Sequence, residues 1–230
     1  MSVPQNDFET LFTEGAQLSC GDAVATMRVV SAGNLQLPTG RVAVTAAPYS
    51  PDPQVFATQV PPGTYPVQLA RADLSGVEDW RPRVVAAAKL VISDEPTVTW
   101  RPALFDEPGA DDPRTAVCAI DGGTGCFGSP EIFAAILANR DRHFRSVVNT
   151  AAYAGEDSTA TYADSDLGAS VVVFASGWGD ASYTTWAGYA ANGSHTCFVT
   201  DFDIFNLDVF AGDEGEDDED ELELELEDDE

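Results

Sequence analysis

The chain has 230 residues, 39 of them acidic and 11 basic, for a net charge of −28. It is 44% hydrophobic and 10% aromatic, apolar and long enough to bury a sizeable core in one large domain or two small ones. The charge excludes binding nucleic acid by neutralising phosphates, and it excludes anionic membrane surfaces; basic proteins are the partners it favours. No apolar run reaches the ~18 residues of a membrane-spanning helix. Residues 1–6 carry neither a basic start nor an apolar stretch, and Cys20, Cys118, Cys126 and Cys197 form no CxxC pair. The expectation is a cytoplasmic protein with reduced thiols and no zinc site. Lys89 is the single lysine beside ten arginines, a bias that fits either a GC-rich genome or high-salt adaptation.

In chain order, Asn6 or Asp7 caps a short helix whose apolar stripe is Phe8, Leu11 and Phe12, stopped by Gly15. Ala23 to Val30 reads as a strand. A second lies within Leu35 to Ala47, around a Pro38-Thr39-Gly40 turn. Pro61 to Pro66 is a rigid turn before a strand at Val67 to Ala70. Val84 to Ile92 and Thr97 to Ala103 read as a hairpin across Ser93-Asp94-Glu95-Pro96. Ala116 to Ile120 is a short buried strand before Asp121-Gly122-Gly123-Thr124-Gly125. Ser129-Pro130-Glu131 is a helix start: capping hydroxyl, proline in the first helical position, acid in the first turn. Ile132, Phe133, Ile136 and Leu137 give that helix an apolar face. Gly155 to Gly168 reads as a polar, acid-bearing loop.

The stretch from Ser170 to Phe202 reads as an antiparallel meander of three strands. Val171 to Phe174 is the first, Tyr183 to Tyr189 the second, His195 to Phe202 the third. Glycines in Ser176-Gly177-Trp178-Gly179-Asp180 form one turn, and Asn192-Gly193 is a two-residue hairpin signal. Asp203 to Phe210 follows as a terminal strand or docking segment. The expected fold is mostly β (α+β): one domain over residues 1–211, an antiparallel sandwich or strongly bent sheet with one or two short helices. Residues 212–230 form an acidic tail, disordered when free.

Several phrases, taken in order, resemble a bacterial family of uncharacterised proteins, domain of unknown function 4241. They are Gly33 to Arg41 (GNLQLPTGR), Val60 to Val67 (VPPGTYPV), Ile120 to Phe127 (IDGGTGCF), Ser176 to Asp180 with Tyr183, and Thr200-Asp201-Phe202. Two positions depart from that pattern. Ala47-Pro48 stands where the family tends to have Asp-Pro, and Gly179-Asp180-Ala181 where it has Gly-Asp-Gly. The resemblance implies a bacterial, single-domain soluble protein and no particular reaction.

Asp121, Asp180 and Asp201 each sit at a strand end. Convergent, they would bind a divalent cation or serve as general acid and base. Alternatively each caps a turn through backbone N–H groups. No other cofactor is expected. Asp201, Asp203, Asn206 and Asp208 look like a calcium loop without its mid-loop glycine and closing glutamate. Trp178, Tyr183 and Trp186 line a groove in one reading and fill the core in the other. His195 and Cys197 lie two apart on one strand face but lack a third orienting group, so they and His143 read as structural. Ser176 lacks the glycine two positions before it that a nucleophile elbow requires. The Gly122–Gly125 loop lacks a lysine, and Glu131 beyond it repels phosphate. In the tail, Leu222, Leu224 and Leu226 alternate with glutamates, putting every leucine on one strand face for adding to a partner's sheet edge.

Three functions are consistent with these residues. The first is a cytoplasmic acidic protein that neutralises or docks to a basic protein partner, as an immunity-type inhibitor does. The second is a metal-dependent enzyme or cation-binding protein using the strand-end aspartates. The third is an assembly component docking through its tail. The charge balance and the lack of a complete catalytic set favour the first.

Overall fold

A computed structural model describes residues 7–20, 23–47, 53–75, 83–106, 114–139, 142–153 and 159–205. The acidic tail, with Leu222, Leu224 and Leu226, lies outside the described residues, as do Asn206 and Asp208. A single 3-10 turn, Phe8–Thr10, opens the chain, capped by the Asp7 carboxylate, which accepts from Glu9 N–H at 3.1 Å. The strands that follow are β1 (Gln17–Cys20), β2 (Ala23–Leu37), β3 (Ala43–Ala46), β4 (Gln54–Val55), β5 (Gly63–Ser75), β6 (Arg83–Val91), β7 (Thr99–Pro102), β8 (Val117–Ile120) and β9 (Thr124–Gly128). Helices α1 (Pro130–Asn139) and α2 (Arg142–Tyr153) come next. The chain then forms β10 (Thr159–Asp164), β11 (Ala169–Ala175), β12 (Ala181–Tyr189) and β13 (His195–Asp201).

All pairings are antiparallel and build two sheets. The larger runs β1-β2-β5-β6-β13-β12-β7, with β8 also on β12; the smaller runs β10-β11-β9-β3-β4. The expected mostly-β architecture is thus the one observed.

One core lies between the sheets. Leu35, Leu69, Leu90 and Phe198 from the larger sheet meet Val44, Phe127, Val172 and Phe174 from the smaller. A second cluster lies on the smaller sheet's other face, where Val171, Val173, Cys126 and Ala43 meet Ile132, Phe133, Phe144 and Val148 of the helices. This explains the unbroken Val171–Phe174 run. Successive side chains point to opposite faces, and both faces of this strand are covered. The Gln36 N–H donates to Ser170 Oγ at 2.8 Å and ties the two sheets at one edge.

Several local expectations change. Ser170 to Phe202 is not one meander: β11 belongs to the smaller sheet and β12 to the larger, so the 176–180 turn carries the chain between layers. The β6 and β7 strands are not a hairpin. Each pairs into the β13–β12 pair from its own side, with β13 on β6 and β12 on β7. Long-range pairing overrides the short connection, because β6 is buried along almost its whole length and needs a neighbour on each edge.

Asn192-Gly193 is not a two-residue primed turn either. Gly193 has φ 83°, but Asn192 does not share a positive φ. Gly193 N–H donates to Ala190 O at 2.9 Å, and Ala190 N–H to Ser194 O at 2.9 Å, closing a wider loop. The Gly155–Gly168 segment contains β10 rather than only loop. The glycine-rich 122–125 loop runs into a fully buried strand, β9, rather than directly into a helix. The helix start at Ser129 forms as read, with Ser129 Oγ accepting from Ile132 N–H at 3.2 Å.

Candidate functional site

The strand-end aspartates occupy three different environments. Asp180 is exposed, and its carboxylate accepts from the Gly123 N–H at 2.7 Å. It therefore fastens the β8–β9 turn to the β11–β12 turn, 57 residues apart in sequence. Asp121 sits exposed in the first of those turns. The turns also meet where Ser176 N–H donates to Gly123 O at 3.0 Å, and within the second turn the Gly179 carbonyl accepts from Tyr183 Oη at 2.9 Å and Ser176 Oγ at 3.1 Å. Ser176 is thus committed to turn geometry.

Asp201 is different: only 4% of it is exposed. Its carboxylate accepts from Asp203 N–H at 3.2 Å, and Asp203 has the unusual φ of 52°. Burial, and then the Asp203 carboxylate, push the Asp201 carboxyl up to about 7. Burial and the carboxylates of Asp203 and Asp180 also raise the Tyr183 phenol. The structure therefore brings Asp180, Tyr183 and Asp203 to one end of β12, with Asp121 across the turn contact and Asp201 turned into the protein. Among the described residues, no group of three or more His, Cys, Asp or Glu side chains is placed to hold a metal ion.

The three aromatics do not share a surface. Trp178 is 46% exposed in the 176–180 turn. Tyr183 packs edge-on against Phe202 at 5.0 Å between ring centres. Trp186 is buried against Phe8 at 5.4 Å.

His195 and Cys197 are separated by an irregularity in the β12–β13 register, where Tyr189 pairs His195 and Gly188 pairs Cys197. Each lines a different cavity. The His195 cavity, of about 360 Å³, is bounded by Gln59–Pro61, Tyr65, Ile92, Ser93, Glu95 and Ser194. The Cys197 cavity, of about 350 Å³, shares Ser93 and Glu95 with the first and is bounded also by Glu9, Gln68, Lys89 and Thr97. Burial raises the Cys197 thiol, so it is a poor nucleophile at neutral pH. In the second cavity Lys89 Nζ donates to both Glu9 carboxylate oxygens at 2.7 Å, with the Phe12 ring centre 4.9 Å away.

Sequence reasoning missed Ser93, Glu95 and the Glu9–Lys89 pair. The single lysine inside an apolar strand, VVAAAKLV, was the available signal, because a buried ammonium requires a carboxylate.

The architecture defines an antiparallel two-sheet protein with a helical outer layer, with cavities at the rim of the larger sheet. The chain belongs to the family described as "Protein of unknown function (DUF4241)", whose profile matches residues 35–200. No curated protein and no solved structure matches it. No helix among the described residues is long and apolar enough to cross a membrane.

Proposed function

We propose that this chain is a bacterial, cytoplasmic acidic protein that docks to and neutralises a basic protein partner, in the manner of an immunity-type inhibitor. The observation that carries this reading is the engagement of seven of its eleven cations within the fold. Arg28 pairs with Glu14 at 2.8 Å, and Arg41 with Asp106 at 3.2 Å. Asp73 gathers Arg28, Arg71 and Arg83 at 3.6, 3.1 and 3.9 Å. Lys89 is held by Glu9, while Arg101 and Arg114 lie over the rings of Tyr189 and Phe105. Asp94, Asp121, Asp166 and Asp180 are exposed and take part in none of these pairs.

These exposed carboxylates steer a basic surface toward the chain and raise the association rate. The tail adds to them: residues 213–230 contain 14 of the 39 acids and no base. Leu222, Leu224 and Leu226 supply an apolar face once a basic surface offsets the glutamates between them.

The test is truncation after Gly212. The reading predicts an unchanged melting temperature and weaker affinity for a basic partner at low salt. A large loss of melting temperature shows instead that the tail packs onto the body, and unchanged affinity removes the tail's electrostatic role.

A further inference from the structure

The end of β13 is closed by a short segment whose contacts lead back to one buried carboxyl. Beyond Asp201 the chain leaves the sheet, and Phe202, Ile204 and Phe205 are buried. Several parts of the fold hold them. Phe202 N–H donates to Ala86 O of β6 at 2.9 Å. Its ring meets those of Tyr183 in β12 and Phe174 in β11, with centres 5.0 and 6.1 Å apart. Cys20 Sγ of β1 donates to Ile204 O at 3.5 Å. Gly177 of the 176–180 turn lies so close that a Cβ there would stand 2.9 Å from Phe202 Cβ. In the middle of this segment Asp203 has a φ of 52°, the one positive φ outside glycine among the described residues. Such a backbone persists only while its surroundings hold it. Its N–H donates to the Asp201 carboxylate at 3.2 Å, so the strained residue is tied to a group that can change charge.

That carboxyl is badly placed to ionise. It is buried, and its register partner on β6 is Ala87. The other titratable groups at this end are Asp203, Tyr183 and Asp180, with Cys20 from β1, and none is a cation. The cations of β6, Arg83 and Lys89, are engaged by Asp73 and Glu9 at 3.9 and 2.7 Å. The N–H groups of Asp203 and Phe202 favour the ionised form, but burial outweighs them. Burial, with the Asp203 carboxylate, pushes the Asp201 carboxyl up to about 7 from its ordinary 3.8. In contact with water the group returns to its ordinary value. The closed segment is therefore fully stable below that value and loses stability as pH rises through the raised one.

We propose that residues 202–205 are a proton-controlled latch: with Asp201 protonated the segment is closed on β1, β6 and the 176–180 turn, and ionisation of Asp201 opens it while the two sheets stay folded. Residues 206–230 continue from Phe205, so the latch governs the point at which the acidic C-terminal segment leaves the sheets. It operates without a partner, and it stands or falls separately from the docking proposed above.

Native-state hydrogen exchange of the full chain, followed by NMR at about pH 5 and about pH 8, reads the latch through the Phe202 amide. The amides of Leu69 and Ala70, in the middle of β5, read opening of the larger sheet. Protection is taken relative to the unstructured exchange rate at each pH. For Phe202 it is expected to fall by up to about a hundredfold between the two pH values, the limit that proton linkage sets. At the higher pH it is expected to lie at least about tenfold below that of Leu69 and Ala70, as local opening requires. Asp201→Asn cannot ionise, and its Phe202 protection is expected to change by less than about threefold. Iodoacetamide labelling of Cys20 at about pH 8 gives a second reading, with wild type expected to react faster than Asp201→Asn. The same pH dependence in both proteins overturns the proposal. So does Phe202 protection equal to that of Leu69 and Ala70 at both pH values, which means global unfolding alone, or Cys20 labelling no faster in wild type.

Discussion

Asp201→Asn probes the buried end of β13. The wild-type carboxyl is pushed up to about 7 from its ordinary 3.8, first by burial and then by the neighbouring Asp203 carboxylate. Between those values the folded state binds more protons than the unfolded state. Stability from this group is therefore fully present below the unfolded value and is lost as pH rises through the folded one. Above neutrality the ionised side chain costs roughly 4 kcal/mol, an upper bound because local relaxation and water penetration lessen it. Asparagine removes the charge but retains a carbonyl oxygen for the Asp203 N–H bond, 3.2 Å in the wild type. Urea unfolding followed by tryptophan fluorescence, at about pH 4 and about pH 8, measures the effect. The variant is expected to gain up to ~4 kcal/mol over wild type at the higher pH and less than about 1 kcal/mol at the lower. Because His195 is present in both proteins, its opposite pH dependence cancels in the difference. An equal difference at both pH values, or a variant less stable at pH 8, refutes the burial argument.

Other substitutions test the packing. Glu9→Ala leaves Lys89, 8% exposed, without its carboxylate. Its cost is expected at about 2–3 kcal/mol, below that of a fully buried pair because Glu9 is partly solvated; a change below about 0.5 kcal/mol in chemical unfolding contradicts a structural role. Gly40 and Gly193 both have positive φ, at 74° and 83°, but only Gly40 is crowded, since a Cβ there would stand 1.8 Å from Val60 O. Gly193→Val is expected to cost about 1–3 kcal/mol from backbone strain alone. Gly40→Ala is expected to cost more, and melting temperatures in the reverse order contradict this reading of the two turns.

Local signals carried well from the sequence to the structure. The Ser129-Pro130-Glu131 helix start formed as its chemistry dictates, and the Val171–Phe174 run became a strand buried on both faces. Strand partnership was less legible. Nothing in Ser93-Asp94-Glu95-Pro96 indicates that β13 and β12, a hundred residues later, separate β6 from β7. A second helix was legible but overlooked: Phe144, Val147, Val148 and Ala151 recur at helical spacing and pack on the smaller sheet. The long, curled β2–β5 pair was under-read because Gly33 and Pro66 interrupt its pattern, yet pairing continues through both positions. The His195 cavity was illegible for a similar reason. Gln59–Tyr65, Ile92–Glu95 and Ser194–His195 come together only through the strand order.

The electrostatic docking proposal is tested most directly by the salt dependence of partner affinity. Kd for a purified basic partner is measured by calorimetry at 0.1 M and 1 M salt, between which the Debye length falls from about 10 Å to about 3 Å. The account predicts binding that weakens at least about tenfold over that range, and a smaller change for the chain ending at Gly212. An affinity independent of salt in the full chain would contradict it.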